Sequence, residues 1–190
     1  DALGRAYLSL ALPSRAEPVV TEAFELRRQA PTVAAVDLVR SRWALGRLRL
    51  VQGRLDDADQ LLSEAEAGVV ALGPLDPERR SISLPIRIAL ARATLAETRG
   101  DVVALRGHLD RARQVAPTDG VDGLRARASW LVARVGLAFL ENDLEQGLAW
   151  VEEALSLRQE SFGPEHPEVA QVLRLRGDVL RGLGHLRLLG

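Results

Sequence analysis

Apolar residues recur along the chain at intervals of three and four, as in Leu45, Leu48, Leu55 and Leu62 and again in Leu144, Leu148, Val151 and Leu155. Such intervals keep them on one face of a helix, while the runs of β-branched residues that would favour strands are short. Breakers separate these stretches. Pro13, Pro31, Gly73-Pro74, Pro117-Thr118-Asp119-Gly120 and Gly163-Pro164 divide the chain into about ten helical segments, so the fold class is read as all-α. Two helix starts carry local signals. Ser14 with Glu17 three residues on has the form of a capping box, and Asp76-Pro77 sets an N-cap residue before a proline at the first helical position.

The segments also repeat. Seven, twelve, sixteen and nineteen residues beyond Gly46 stand Gly53, Ala58, Leu62 and Ala65. The same offsets from Gly4 meet Ala11, Ala16, Val20 and Ala23, and from Ala93 they meet Gly100, Leu105, Leu109 and Ala112. From Val135 they meet Asn142, Gly147, Val151 and Ala154, and from Gly177 they meet Gly184 and Leu189. The origins 4, 46, 93, 135 and 177 are 42, 47, 42 and 42 residues apart, and alanine holds the last offset in all four repeats that reach it. Antiparallel helices approach closely only where side chains are small, so Ala58 and Ala65 are expected at helix–helix contacts. The Gly or Asn seven residues after an origin is expected to adopt the left-handed conformation that ends the first helix of each pair. On this reading Gly184 ends such a helix and the sequence stops within the next. Leu183, Leu186, Leu188 and Leu189 then lack a packing partner, and the C-terminal end is expected either to self-associate or to have its last residues docked by a neighbour.

These residues, with the linker Phe162-Gly163-Pro164-Glu165-His166-Pro167-Glu168-Val169-Ala170, resemble the tetratricopeptide repeat in the 42-residue form of kinesin light chains and many bacterial signalling proteins. Gly73-Pro74-Leu75-Asp76-Pro77-Glu78 repeats the start of that linker in four of six places. The resemblance implies a right-handed α-solenoid of antiparallel helix pairs, a single array over residues 1–190 with repeats at 1–30, 31–73, 74–118, 119–163 and an incomplete 164–190. The sequence departs from the pattern at Ala93, Leu105 and Val135, and only Tyr7 supplies the usual first-helix aromatic.

The resemblance further implies a concave face lined by the first helix of each pair, which is where such arrays take extended or helical peptides. Its groove positions include Arg40, Trp43, Arg47 and Leu50, then Arg87, Leu90, Thr94 and Glu97. Ser129, Val132, Gly136 and Phe139 follow, then Gln171, Arg174, Asp178 and Arg181. Six of nineteen such positions are arginine, where 25 basic residues in 190 predict about two and a half. The expected partner-binding groove is therefore built on Arg40, Arg47, Arg87, Arg174 and Arg181, with Trp43 as apolar anchor and Leu90, Thr94, Val132, Phe139 and Asp178 beside them. Guanidinium groups grip carboxylate or phosphate in two-toothed fashion, so an acidic or phosphorylated peptide is the expected partner. A competing reading places the partner on Leu90, Val132 and Phe139 through apolar contact.

Composition narrows the chemistry. All 25 basic residues are arginine and there is no cysteine. A phosphate-binding P-loop lysine, a Schiff base, a disulfide and a thiolate metal site are thereby excluded within these residues. With a net charge of −1 the chain has no bulk charge for nucleic acid or an anionic membrane. Its most apolar stretch, Trp130 to Leu140, is about half a membrane span and contains Arg134. His108, His166 and His185 fall in different repeats without ligand spacing, His166 reading as a linker or cap residue. Asp56-Asp57 and Glu152-Glu153 suit helix starts and polar faces, and Trp130 and Trp150 suit packing. An arginine-rich sequence without methionine reads as an excised segment from a GC-rich, bacterial genome. The expectation is a non-enzymatic, cytoplasmic protein-interaction module of a larger signalling or regulatory protein, with a protein or peptide partner. No cofactor, metal, nucleic acid or membrane is expected. The alternatives are a self-associating structural scaffold and a sensor domain for a small peptide ligand.

Overall fold

The computed structural model describes residues 12–30, 33–73 and 83–189. Among these residues eight helices occur and no strand. They are α1 (Pro13–Gln29), α2 (Ala35–Val51), α3 (Leu55–Leu72), α4 (Ser83–Thr98), α5 (Val102–Val115), α6 (Gly120–Glu141), α7 (Leu144–Phe162) and α8 (Pro167–Leu189). The chain divides into two compact units, residues 1–95 and 96–190. In the first, Val20 and Phe24 of α1, Leu45 and Leu48 of α2, Leu62 and Ala65 of α3 and Ile88 of α4 share one core. In the second, Leu131 and Val135 of α6, Val151 and Ala154 of α7 and Val172 and Val179 of α8 share another. Full burial of a side chain such as Leu48 or Leu62 contributes about 2–3 kcal/mol.

Small residues set the helix spacing. Ala58, Ala65, Ala112 and Ala154, at the offsets the repeat pattern marks, are all completely buried. A Cβ on Gly46 would lie 3.0 Å from the Leu62 side chain, and one on Gly147 would lie 2.9 Å from the Ala138 methyl. The α2–α3 and α6–α7 pairs therefore each close over a glycine, at different offsets of the repeat.

Turns follow the same pattern. Gly53, Gly100 and Asn142, each seven residues after an origin, have φ of 73°, 69° and 58°. In the first turn Arg54 N–H donates to the Arg49 carbonyl at 2.9 Å and Gly53 N–H to the Leu50 carbonyl at 3.0 Å, the paired bonds of a Schellman motif. Asp101 N–H to Ala96 and Asp143 N–H to Ala138, both at 2.9 Å, repeat it. The residue that completes the turn then starts the next helix. Asp101 accepts from Ala104 N–H at 2.9 Å, and Asp143 from Gln146 N–H at 3.3 Å.

Three expectations are corrected. Ser14 forms no capping box, because α1 begins one residue earlier with Leu12 as N-cap and Pro13 at its first position. Glu17 instead accepts from Arg49 at 2.8 Å and Gln52 at 2.9 Å, tying α1 to the end of α2. Gly184 does not end a helix. α8 runs through it to Leu189. Leu183 is accordingly packed on the second core instead of lacking a partner. Asp76-Pro77, Tyr7 and the side chains of Leu186, Leu188 and Leu189 lie outside the described residues.

The packing account is tested by three kinds of substitution. Ala58→Leu and Ala65→Leu overpack the α2–α3 pair and should each cost about 1–3 kcal/mol. Gly53→Ala meets no atom but must hold a positive φ, and should cost about 1 kcal/mol. Gly107→Ala, helical with open space around it, should gain about 0.5–1 kcal/mol. Thermal unfolding followed by far-ultraviolet circular dichroism reads all three, and unchanged midpoints for both leucine variants contradict the packing register.

Candidate functional site

In the first unit α2 and α4 carry Arg40, Trp43, Arg47, Arg87, Leu90 and Thr94. Trp43 is only 4% exposed and its indole N–H donates to the Arg87 carbonyl at 3.1 Å. It is therefore no protruding anchor. Instead its ring underlies two guanidinium groups, Arg47 at 5.4 Å and Arg87 at 5.6 Å from the ring centre. Each such contact is worth about 0.5–1 kcal/mol near the surface and, more to the point, fixes where the cation sits. Both arginines reach solvent, and neither is without a further partner inside the protein. Arg40 is taken by Asp37 one turn earlier, at 2.6 Å. Thr94 spends its hydroxyl on the Leu90 carbonyl at 3.2 Å, and Leu90 is half-buried.

In the second unit Val132 is half-buried against the core and Phe139 is 41% exposed. Arg174 is exposed on α8, while Arg181 is paired with Asp178 one turn away. Of the five arginines expected to converge, the structure thus brings Arg47 and Arg87 together on one ring. It gives Arg40 and Arg181 their own acids.

Two further groove positions, Glu97 and Gly136, stood outside the expected binding set and meet in the structure. A Cβ on Gly136 would collide with the carboxylate of Glu97, so this carboxylate rests directly on the face of α6 where the side chain is missing. Burial raises the Glu97 pKa above its ordinary value, and no cation opposes that rise.

Other polar clusters are structural. Arg134 lies over Trp150 at 3.9 Å and over Trp130 at 4.6 Å, and the Trp130 N–H donates to the Leu109 carbonyl at 2.9 Å, which joins α5, α6 and α7. Desolvation and then the neighbouring Arg113 lower the Arg134 pKa. The linker motif has a similar account. Phe162 stacks on His166 with centroids 4.4 Å apart, Arg125 lies 4.2 Å from the Phe162 ring centre, and His166 Nδ1 caps α8 by accepting from Glu168 N–H at 3.2 Å. Arg158, 8% exposed, donates to Ser129 at 2.7 Å and pairs with Glu168 at 3.3 Å. The paired acids are also engaged: Asp57 by Arg54, Glu152 by Arg176 and Glu153 by Arg127. Among the described residues no group of His, Asp and Glu has the arrangement of a metal site, and no helix is long and apolar enough to cross a membrane.

The fold is that of an α-solenoid, built from antiparallel helix pairs joined by left-handed turns. Residues 126–188 match the family model of the tetratricopeptide repeat. The crystal structure of BtubC (BKLC) from P. vanneervenii is similar over 96% of this chain and 70% of that one, with 19% sequence identity and a TM-score of 0.63. No curated protein matches the sequence significantly. Residues 126–188 are thus similar to tetratricopeptide repeats, and the fold of the chain is similar to that of the BtubC structure.

Glu97 supplies a pH test. A carboxyl whose folded-state pKa exceeds its unfolded value binds its proton more tightly when folded, so its contribution favours folding at low pH and is lost as pH rises through the folded pKa. Glu97→Gln should therefore raise the thermal midpoint at pH 7, with the difference from wild type shrinking toward pH 4. A wild-type advantage at pH 7 contradicts the assignment.

Proposed function

We propose that the chain is a protein-interaction module whose first unit offers Arg47 and Arg87, set over the buried Trp43 ring, to an acidic or phosphorylated peptide. Tetratricopeptide repeats generally mediate protein–protein interaction. The observation that carries the finer reading is the shared ring: two guanidinium groups are held at 5.4 and 5.6 Å from one indole, so part of the ordering needed to grip an anion is already done. A guanidinium has five N–H donors, so an internal partner still leaves donors for a ligand. Charge at such a face supplies encounter rate and register more than raw affinity, which makes salt sensitivity the natural signature. The setting we infer is a larger cytoplasmic signalling or regulatory protein of a bacterium, in which this array recruits or positions a partner.

A second reading has its own observation. Phe139, Leu173 and Leu180 of the second unit are each more than 40% exposed, and such residues suit an apolar partner segment, a second copy of the chain included.

Titration of acidic, phosphorylated and apolar peptide libraries onto wild type and an Arg47→Glu/Arg87→Glu double variant separates the two. The arginine reading requires acidic peptides to bind wild type with affinity that falls as salt rises, and requires the double variant to lose at least tenfold. Apolar peptides binding both proteins equally, with no response to salt, would establish the second reading instead.

A further inference from the structure

Glu97 is a carboxylate in surroundings that call for a cation, and none is supplied. Among the described residues no hydrogen bond or ion pair engages its side chain, whereas Asp37 and Asp178 each have an arginine partner one turn away. Burial without a partner disfavours the charged form, so the position stores an unmet demand.

The seat itself is specific. Gly136 lies in the interior of α6, where glycine costs about 1 kcal/mol of helix stability relative to alanine. The space it leaves is filled by the carboxylate of Glu97 and not by a neighbouring helix backbone. Val132 and Phe139 stand one turn to either side of Gly136 on the same face of α6, the first half-buried and the second 41% exposed. An acid flanked by an aliphatic and an aromatic side chain, and still reached by solvent, matches the anatomy of a basic side chain: an apolar stem ending in a positive, π-seeking head.

We propose that the Glu97 carboxylate, seated on Gly136 and flanked by Val132 and Phe139, receives a basic side chain of the bound partner. A guanidinium or ammonium there returns to the carboxylate the stabilisation that burial removed, while its stem covers Val132 and its head meets Phe139. The proposal rests on the reading of the chain as a peptide-binding module and is independent of the arginine pair of the first unit.

The whole chain, labelled for nuclear magnetic resonance, is titrated with blocked single amino acids: N-acetyl-arginine N-methylamide, the lysine analogue and the uncharged norleucine analogue. The Gly136 and Phe139 amides and the Glu97 side-chain carboxyl are the reporters. Saturable shifts with either cationic probe, at least fivefold tighter than with norleucine and accompanied by a fall in the Glu97 apparent pKa, are expected. Two variants work by different routes. Glu97→Gln removes the charge, and Gly136→Ala keeps the charge but displaces the carboxylate, which is the movable end of a flexible side chain and lets the fold persist. Each should weaken the cationic probes at least fivefold, and Arg47→Glu/Arg87→Glu should leave them unchanged. Equal response to norleucine, equal shifts around the exposed Glu165, or unaltered binding in both variants overturns the proposal. Loss of acidic-peptide binding in the first unit leaves this result untouched, so the two readings fail separately.

Discussion

The closeness of paired helices is the constraint on which the rest depends. Two helix backbones can approach only if one of each pair of facing side chains is nearly absent, and the chain meets this differently in different pairs. Between α2 and α3 the missing side chain is Gly46, which leaves room for the fully buried Leu62 and tolerates the methyl of Ala58. Between α6 and α7 the origin position is the larger Val135, and the glycine has moved to Gly147, against the Ala138 methyl. Ala93 at the origin in α4 and Leu105 in α5, which also depart from the pattern, are each completely buried. Departures from the repeat pattern at the origin are therefore exchanges of volume across one contact, not losses of register.

This explains how much of the fold was legible. Offsets of seven, twelve, sixteen and nineteen residues capture what a helix pair demands locally: a left-handed residue to turn on and small residues to close over. Gly53, Gly100 and Asn142 could be placed because a positive φ restricts residue choice wherever it occurs. Gly184 misled because glycine permits a left-handed turn without requiring one, and α8 continues through it. Ser14 misled for a related reason, since Pro13 already supplies a helix start and Glu17 is drawn away to Arg49 and Gln52.

The candidate sites were less legible because they depend on which helix lies beside which. Trp43 sits at a groove position, yet α4 covers it and takes its N–H through the Arg87 carbonyl. Position within a repeat says which way a side chain leaves its helix, but exposure is decided by the neighbour. Trp130 and Arg134 are four residues apart and could have been paired by that spacing, whereas Trp150 reaches Arg134 only through the packing of α7 on α6. Glu97 and Gly136 are 39 residues apart, and the repeat register marks each as a groove position without showing that they meet.

Charge on this molecule is of two kinds. Many arginines and acids among the described residues pair between or along helices, as Arg49 does with Glu17 and Arg176 with Glu152, and an exposed pair such as the second contributes little to stability. The groove charges are held differently: Arg47 and Arg87 by an indole face, and Glu97 by the absence of a side chain at Gly136. A group positioned by packing keeps its place when its electrostatic environment changes, so less ordering is needed when a charged ligand arrives. On the readings proposed above, the site of the first unit selects an acidic group and that of the second a basic one, each by local geometry, a discrimination that net charge alone could not supply to a chain carrying −1 overall.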